Sequence, residues 1–462
     1  MTNAVADIEQ ETPEIGKERQ LAGVGTGAGA GTNNNKKPHD HALASILGPA
    51  FVAAVAYVDP GNVAANITSG ARYGYLLVWV LVLANAMSVL IQYQSAKLGI
   101  VTNKSLPELL GERMSDAGRF MFFMQAEVIA IATDLAEVIG GAIALNLLFG
   151  LPLFIGGLVI GTISTVMLWF QGGKTQTTFE RIIIVMLLII TFGFIAGLFV
   201  APPNPGEVVK GMIPRFQGAD SVLMAASILG ATVMPHAIYL HSTLVNDHYA
   251  GGEKPSIKTQ LKGSKIDVAW ALLLAGTVNL AMLVLAANSL HGMSGTDSID
   301  GAQRAITQVL GPVIGTIFSI GLLASSLSST SVGTYAGSEI MHGLLASSLS
   351  STSVGTYAGS EIMHGLLHVN APMRACRVVT LVPALIVLWF AKDPTQALVI
   401  GQVVLSIGIP FAVIPLMRYT HNKELMGKWA DGTVKHVIFM IVVALIVALN
   451  LLLIVLTLMG RA

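Results

Sequence analysis

The sequence predicts an all-α integral membrane protein with eleven transmembrane helices. Of its 462 residues, 53% are hydrophobic and 11% are charged, whereas soluble domains contain roughly 25% charged residues. The apolar residues form runs long enough to cross a hydrocarbon core of about 30 Å. Two of these runs are interrupted in the middle by proline and polar residues. We interpret all the runs as helices, because open strands cannot span lipid.

The first predicted span begins at residue 43, and its apolar run passes through Leu47, Phe51 and Val55. Ten further runs follow it along the chain. They are predicted to span 75–99, 120–149, 151–171, 180–201, 220–248, 266–290, 305–342, 374–391, 394–418 and 433–459.

Residues 1–42 are polar and rich in Gly and Asn, without an apolar period, which predicts a disordered tail. No short apolar core follows the early charges, so we expect no signal peptide. Lys plus Arg and Asp plus Glu number 26 each, and this balance indicates no nucleic-acid partner. The single cysteine, Cys376, excludes an intrachain disulfide and a multi-cysteine metal site.

The distribution of Lys and Arg predicts the orientation of the chain. With a cytosolic N-terminus, most of these residues lie in inside segments, as do Lys36, Arg113 and Lys258, and few lie outside, as do Arg72 and Lys210. An odd number of spans then places the C-terminus outside. We therefore expect a multi-pass protein of the plasma membrane.

The two interruptions are Asp59-Pro60-Gly61-Asn62 in the first span and Met234-Pro235-His236 in the sixth. Pro breaks a helix, and an acid at membrane depth is usually functional. Interrupted helices at corresponding places predict an inverted-repeat transporter whose substrate site lies near the midplane. The repeats would be residues 43–201 and 202–418, with the eleventh helix in residues 419–462.

The residue types at the interruptions predict a metal-ion site. Asp59 offers anionic oxygen and Asn62 amide oxygen, and breaks would free the backbone carbonyls of Ala56 and Ala231. Oxygen ligands alone suit Mg²⁺ or Ca²⁺. Met234 adds a soft thioether, which favours transition metals and discriminates against abundant alkaline-earth ions.

These two motifs, placed in the first and sixth spans of an eleven-span pattern, resemble the paired motifs of the Nramp family over residues 43–459. The resemblance implies the LeuT fold and symport of Mn²⁺ or Fe²⁺ with protons, and Co²⁺ and Cd²⁺ are further candidate substrates. It implies a carrier that is not an enzyme and holds no permanent cofactor. A monomer would be sufficient for this function, and the sequence leaves the oligomeric state open. Gln402 looks like the family's further polar ligand of the metal. A hydrogen bond between two helices would explain a glutamine at this position equally well.

Three acids lie on roughly one face of the third span, because Glu127, Asp134 and Glu137 are separated by seven and three residues. Acids inside a membrane segment face a polar route, although buried ion pairs are the alternative. The resemblance associates these acids, together with Asp59 and the histidine of the second motif, with proton movement. It also suggests Arg377 as their partner on the ninth span.

The sixth span carries two histidines, His236 and His241. They are five residues apart and diverge by roughly 140° around a helix, so joint chelation of one ion is not expected. His236, beside the break, suits proton relay because the unperturbed pKa of histidine is about 6.5. His241 is expected to form a hydrogen bond inside the bundle or to assist the relay.

Residues 322–343 recur letter for letter as residues 344–365. Fold-building repeats diverge and occur in series, so one identical tandem copy indicates a recent duplication, an engineered insertion or an error of sequence assembly. A helix from residue 305 to residue 365 would be about 90 Å long, which no bilayer needs. We expect one copy to complete the eighth span and the other to be displaced to the cytosolic side. The repeat itself does not decide which copy does so.

Three other functions remain open on the sequence. The first is a carrier of organic solutes on the same fold, in which half-helix N-termini would face a carboxylate or amine. The second is a variant that binds metal without moving it. The third is a carrier of Mg²⁺ or trivalent ions, which we would expect to lack the thioether.

Overall fold

The computed structural model describes residues 48–167, 176–248, 255–296, 298–350, 373–390 and 393–459, and these residues form helices and connecting turns without a β-strand. The predicted tail lies outside the described residues. The α-helices, numbered in chain order, are α1 (Pro49–Val55), α2 (Pro60–Tyr73), α3 (Val78–Thr102), α4 (Leu106–Arg113), α5 (Asp116–Phe149), α6 (Leu153–Met167), α7 (Gln176–Val200), α8 (Pro205–Lys210), α9 (Gly218–Thr232), α10 (Pro235–His248), α11 (Ile257–Ser289), α12 (Ile299–Leu310), α13 (Pro312–Ser350), α14 (Met373–Phe390), α15 (Pro394–His421), α16 (Lys423–Met426) and α17 (Thr433–Leu458).

Within the described part of the chain, seven helical segments are long and apolar enough to cross a membrane, with the continuous stretch Gly218–His248 taken as one. Four shorter apolar helical stretches lie where further spans were predicted: Pro49–Val58, Leu153–Val166, Ile184–Val200 within α7 and Leu381–Phe390 within α14. The membrane-spanning, all-helical class is confirmed. The count of eleven stays a prediction, because these four apolar stretches are shorter than a full span.

The first interruption is confirmed, but Pro60 is not the residue that breaks the helix. Helix α1 ends at Val55, a 3₁₀ turn covers Ala56–Val58, and Asp59 is extended with φ −72° and ψ 167°. Pro60 is the first residue of α2, a position that suits proline because no N–H is needed there. The Asp59 side chain accepts the Asn62 N–H as an N-cap.

The second interruption follows the same rule. Helix α9 ends at Thr232, Val233 leaves the helical region with φ −107° and ψ 76°, and α10 begins at Pro235. Each proline therefore opens the second half of its broken span. The residue immediately before each proline is a predicted metal ligand, Asp59 in one span and Met234 in the other.

The predicted span 305–342 is wrong at its beginning. The structure divides it into α12, which ends at Leu310, and α13, which begins at Pro312. Gly311 between them has φ +96°, a conformation that glycine adopts readily, and Pro312 then starts a new helix. Helix α11 also begins earlier than predicted, after the N-cap Ser256.

Glycines let the helices that carry the breaks approach their neighbours closely. A methyl group on Gly230 of α9 would overlap the Gln402 carbonyl of α15, and one on Gly140 of α5 would overlap the ring of Pro60. A methyl on Gly70 of α2 would meet the backbone of α11 at the Leu283 carbonyl. The two breaks are therefore enclosed by α5, α11 and α15.

Helix α13 contains the whole first copy of the repeat, residues 322–343, and continues to Ser350. At 39 residues its axis is about 58 Å long, longer than the hydrocarbon core. Its segment Pro312–Gly337 is the candidate span. The first copy thus occupies the eighth span, whereas residues 351–365 of the second copy lie outside the described residues.

Candidate metal site at the two helix breaks

The two interrupted spans meet at Asn62. Its side-chain Nδ2 donates to Asp59 Oδ1 over 2.7 Å and to the Ala231 carbonyl oxygen over 2.6 Å. Its backbone N–H also donates to Asp59 Oδ1, at 2.8 Å. One amide therefore connects the acid of the first break to a carbonyl at the end of α9, 169 residues away.

Oxygen acceptors remain available around this junction. Asp59 Oδ2, Asn62 Oδ1 and Gln402 Oε1 are buried and have no hydrogen-bond partner among the described residues. The Ala231 carbonyl accepts one hydrogen bond, and a carbonyl oxygen has a second lone pair. Buried polar atoms normally find partners, so these oxygens together indicate a polar ligand such as a cation.

Gln402 lies beside the junction, as the resemblance implies. Its side-chain amide is so close to Gly61 that a methyl group there would overlap it, and the same methyl would come within 2.9 Å of Asp59 Oδ2. Gln402 is fully buried. Glycine at position 61 therefore gives the α15 amide access to the first turn of α2.

Met234 and Ala56 are the remaining predicted ligands. Both are buried and belong to one apolar cluster with Val58 and Val63 of the first span. Ala56 opens the 3₁₀ turn and Met234 directly precedes Pro235. The contact from Asn62 to the Ala231 carbonyl joins the two breaks, whereas coordination by Met234 and Ala56 stays a prediction.

Neighbouring helices satisfy backbone carbonyls freed by the breaks, and the sequence reasoning missed the residues that do so. Asn279 Nδ2 of α11 donates to the Tyr57 carbonyl over 2.7 Å, and Ser325 Oγ of α13 donates to the Val58 carbonyl over 2.5 Å. Ser88 Oγ of α3 donates to the Thr232 carbonyl over 3.0 Å. The sequence did contain a signal for these donors, namely a polar residue inside an apolar span. Irregular backbone in a membrane needs hydrogen-bond partners of this kind.

The acids predicted on the third span lie on α5. Asp134 and Glu137 are buried, and Glu127 is half-buried. The Glu137 carboxylate faces Gly333 of α13, where an added methyl would lie 3.0 Å from Oε1. Thr133, next to Asp134, places its Oγ1 at 3.3 Å from His236 Nδ1, which connects α5 to the second break.

His236 and His241 have different neighbours, as their spacing predicts. His241 Nδ1 lies 2.7 Å from Gln92 Oε1, and Gln92 Nε2 donates to the Tyr57 hydroxyl over 2.6 Å. His241 therefore belongs to a hydrogen-bonded chain from α10 through α3 to the first break. His236 Nε2 is buried without a hydrogen-bond partner among the described residues.

Arg377 lies in α14, and its side chain falls outside the described part, so its predicted pairing is not tested. Within the described residues, no group of three or more His, Cys, Asp or Glu side chains is placed to hold a metal ion. The predicted ligand set contains one such side chain, Asp59, and otherwise consists of amide, carbonyl and thioether groups.

Sequence comparison finds many relatives over nearly the full chain. A divalent metal cation transporter MntH of Mycobacterium tuberculosis is 49% identical over 416 residues, which cover 90% of this chain and 92% of the relative. The MntH of Bacillus subtilis is 40% identical over 418 residues, covering 89% and 92%.

Comparison of structures gives a concordant result. A crystal structure of the Eremococcus coleocola manganese transporter matches with a TM-score of 0.75 at 27% identity, covering 92% of this chain and 89% of that one. MHP1, a nucleobase-cation-symport-1 transporter, shares the fold at 14% identity with a TM-score of 0.53.

The sequence model of the family described as "Nramp: Natural resistance-associated macrophage protein-like" matches residues 50–345 and 341–456. The two matched stretches share residues 341–345, and the junction of the repeated copies, between residues 343 and 344, lies within this overlap. Together they cover nearly all of the chain. This protein belongs to the Nramp family.

Proposed function

We propose that this protein imports Mn²⁺, Fe²⁺ or a similar transition-metal ion across the plasma membrane together with protons. The observation that carries the proposal is the junction of the two breaks, where Asn62 contacts both Asp59 and the Ala231 carbonyl. The names of the MntH relatives and of the manganese transporter support the same substrate class.

In this proposal the ion binds Asp59 Oδ2, Asn62 Oδ1, the Met234 sulfur, the carbonyls of Ala56 and Ala231, and Gln402 Oε1 in some conformations. Asp59 supplies the negative charge, and the thioether disfavours Ca²⁺ and Mg²⁺. All these groups are ligands, and no bond of the cargo is made or broken.

Protons would move along a second set of groups, which shares Asp59 with the metal site. Asp59 and His236 stand at the breaks, and Thr133 joins His236 to the acids of α5. Glu127, Asp134 and Glu137 would carry the proton, with Arg377 as their counter-charge and His241 as a supporting group. Acids inside a membrane segment are a frequent feature of proton relays.

The same proposal includes the topology. The residues 43–201 and 202–418 form two inverted repeats, and the eleventh helix follows in 419–462. The N-terminus lies in the cytosol and the C-terminus lies outside, as the Lys and Arg distribution indicates. A monomer suffices, since every proposed ligand comes from one chain.

The test is Mn²⁺ uptake into proteoliposomes with an acidic exterior, with Ca²⁺ as competitor. We expect uptake that Ca²⁺ does not inhibit, and we expect Met234→Ala to make uptake sensitive to Ca²⁺ because the soft ligand is lost. Met224→Ala is the matched control, since Met224 is also buried on the same span but belongs to a different cluster.

Three outcomes would favour the other functions. Displacement of Mn²⁺ by amino acids would indicate a carrier of organic solutes. Inhibition of the parent by Ca²⁺, to the same degree as Met234→Ala, would indicate a carrier of hard ions. Binding of Mn²⁺ without flux would indicate a variant that only binds metal.

A further inference from the structure

The two copies of the repeated segment carry identical side chains, so the copies themselves cannot determine which one forms the eighth span. The choice must come from the residues around them. We propose that the flanking residues 312–321 select the first copy, and that Ser325, and not its duplicate Ser347, supports the first helix break.

The first copy makes contacts to three other parts of the fold. Ser325 Oγ donates to the Val58 carbonyl over 2.5 Å, directly before Asp59, and Ser326 Oγ donates to the Glu137 carbonyl over 2.6 Å. Tyr335 OH donates to Asp247 Oδ2 over 2.9 Å. Ser325 and Ser326 therefore hold the residues beside the predicted metal ligand and the predicted proton carrier.

The ten residues before the first copy fit their neighbours. Phe318 packs edge to face on Phe194 of α7, with 5.4 Å between ring centroids. Gly321 lies opposite Gly193, where an added methyl would come within 3.3 Å of the Gly321 Cα. Gly315 lies against Thr307 of α12 so closely that a methyl would overlap it.

A shift of 22 residues would place the second copy in the same position and would bring residues 334–343 into the place of 312–321. Glu339 would then replace Ile317, and His342 would replace Ile320. Ile317 and Ile320 line an apolar groove between α7 and α13, whose other walls are Val185, Leu188, Ile189 and Phe192.

The groove faces outward, because Ile320 is 43% exposed and Phe192 is 70% exposed. In a membrane such a face meets lipid. An acid there would lack a polar partner, and acids are strongly disfavoured facing hydrocarbon. Ile340 would also replace Phe318, which removes the ring that packs on Phe194. The flanking residues therefore favour the first copy even though the copies are identical.

Paired variants test this assignment, because each position in one copy has an identical counterpart in the other. Deletion cannot test it, since removing 322–343 or 344–365 yields the same sequence. Ser326→Leu is expected to lower the melting temperature of the purified protein by several degrees, and Ser348→Leu is expected to leave it unchanged. Ser326→Ala is the milder variant if Ser326→Leu does not fold.

Pairs of cysteine substitutions test the same assignment by cross-linking, without a measurement of transport. In a Cys376→Ser background, Tyr335→Cys with Asp247→Cys is expected to form a product with a short bifunctional thiol reagent. Tyr357→Cys with Asp247→Cys is expected to form none. Equal cross-linking of both pairs, or equal destabilisation by Ser326→Leu and Ser348→Leu, would overturn the assignment.

The role of Ser325 at the break is measured separately and rests on the proposed function. Ser325→Ala is expected to lower Mn²⁺ uptake several-fold, and Ser347→Ala to leave it unchanged. If the parent moves no Mn²⁺, the proposed function fails, while the melting and cross-linking results still decide the copy. If the parent is active and both alanine variants match it, Ser325 does not support the break.

Discussion

At the scale of single residues, Asn62 is the residue that joins the two helix breaks. It donates two hydrogen bonds to Asp59 Oδ1 and one to the Ala231 carbonyl, and its own Oδ1 faces no hydrogen-bonding group in the described chain. The sequence identified Asn62 as a ligand through its place in the motif. It did not reveal the contact to Ala231, because that contact joins residues far apart in the sequence.

We expect Asn62→Ala to weaken Mn²⁺ binding roughly tenfold or more. The variant removes a proposed ligand oxygen and the amide that orients Asp59, and loss of a group that orients a metal ligand typically lowers metal affinity about 10–100-fold. Isothermal titration calorimetry measures the change. Asn66→Ala, one turn later in α2, removes an amide bonded to Asn279 at 3.2 Å and serves as the control. Equal losses in both variants would show that Asn62 acts only through the fold.

The acids of α5 allow a second residue-scale prediction. Glu137→Gln keeps the shape of a buried side chain but removes its ability to carry a proton. We expect this variant to bind Mn²⁺ like the parent and to lose the stimulation of uptake by external acid. Glu112→Gln, which alters an exposed pair with Lys104 at 2.7 Å, is expected to keep that stimulation. Retained stimulation in Glu137→Gln would remove Glu137 from the proton path.

At the scale of helices, the two breaks share one construction that the motifs alone did not reveal. Pro60 and Pro235 begin the second halves of their spans, so the unwound residues lie before each proline. Sequence reasoning placed the breaks correctly because proline and polar residues are unusual in an apolar run. It assigned the break to the prolines because it considered the lost hydrogen bond and not the favourable N1 position.

The first turn of helix α1 is capped by a carboxylate of a neighbouring helix. Asp267 of α11 is buried, and its Oδ2 accepts the Ala50 N–H over 2.9 Å. Helix α1 has seven residues and is joined to α2 only through the unwound turn. Its position against the bundle therefore depends on this cap and on the packing of its apolar side chains.

We expect Asp267→Ala to loosen α1, because a buried N–H left unpaired costs about 1–3 kcal/mol. The readout is the rate of thiol labelling at Val52→Cys in a Cys376→Ser background, since Val52 is 1% exposed. The rate should rise in Asp267→Ala and rise less in Asp267→Asn, which keeps an acceptor oxygen. Identical labelling rates in all three proteins would rule out the cap as a restraint on α1.

Long-range pairings mark the limit of what the sequence could predict about the helices. Lys97 Nζ lies 2.5 Å from Asp431 Oδ1 in a buried ion pair, and Gln94 Nε2 donates to the same carboxylate over 2.6 Å. Asp431 lies in the connection before α17, 334 residues from Lys97. No local pattern relates the two residues, because periodicity reports only neighbours on one helix.

At the scale of the whole molecule, composition and run length were sufficient to predict a helical membrane protein. The paired motifs were sufficient to predict the Nramp family. The division of 305–342 into α12 and α13 was missed, because Gly311 and Pro312 were included in one apolar run. The choice between the repeated copies could not be made from identical letters, and it required the packing of Phe318 on Phe194.

The central claim is that both breaks together hold one transition-metal ion through oxygen and sulfur ligands. X-ray absorption spectroscopy of the protein with one equivalent of Mn²⁺ tests it most directly. We predict a sulfur scatterer beside the oxygen shell in the parent and in Met224→Ala, and its loss in Met234→Ala. An all-oxygen shell in the parent, or a sulfur signal that survives Met234→Ala, would contradict the account.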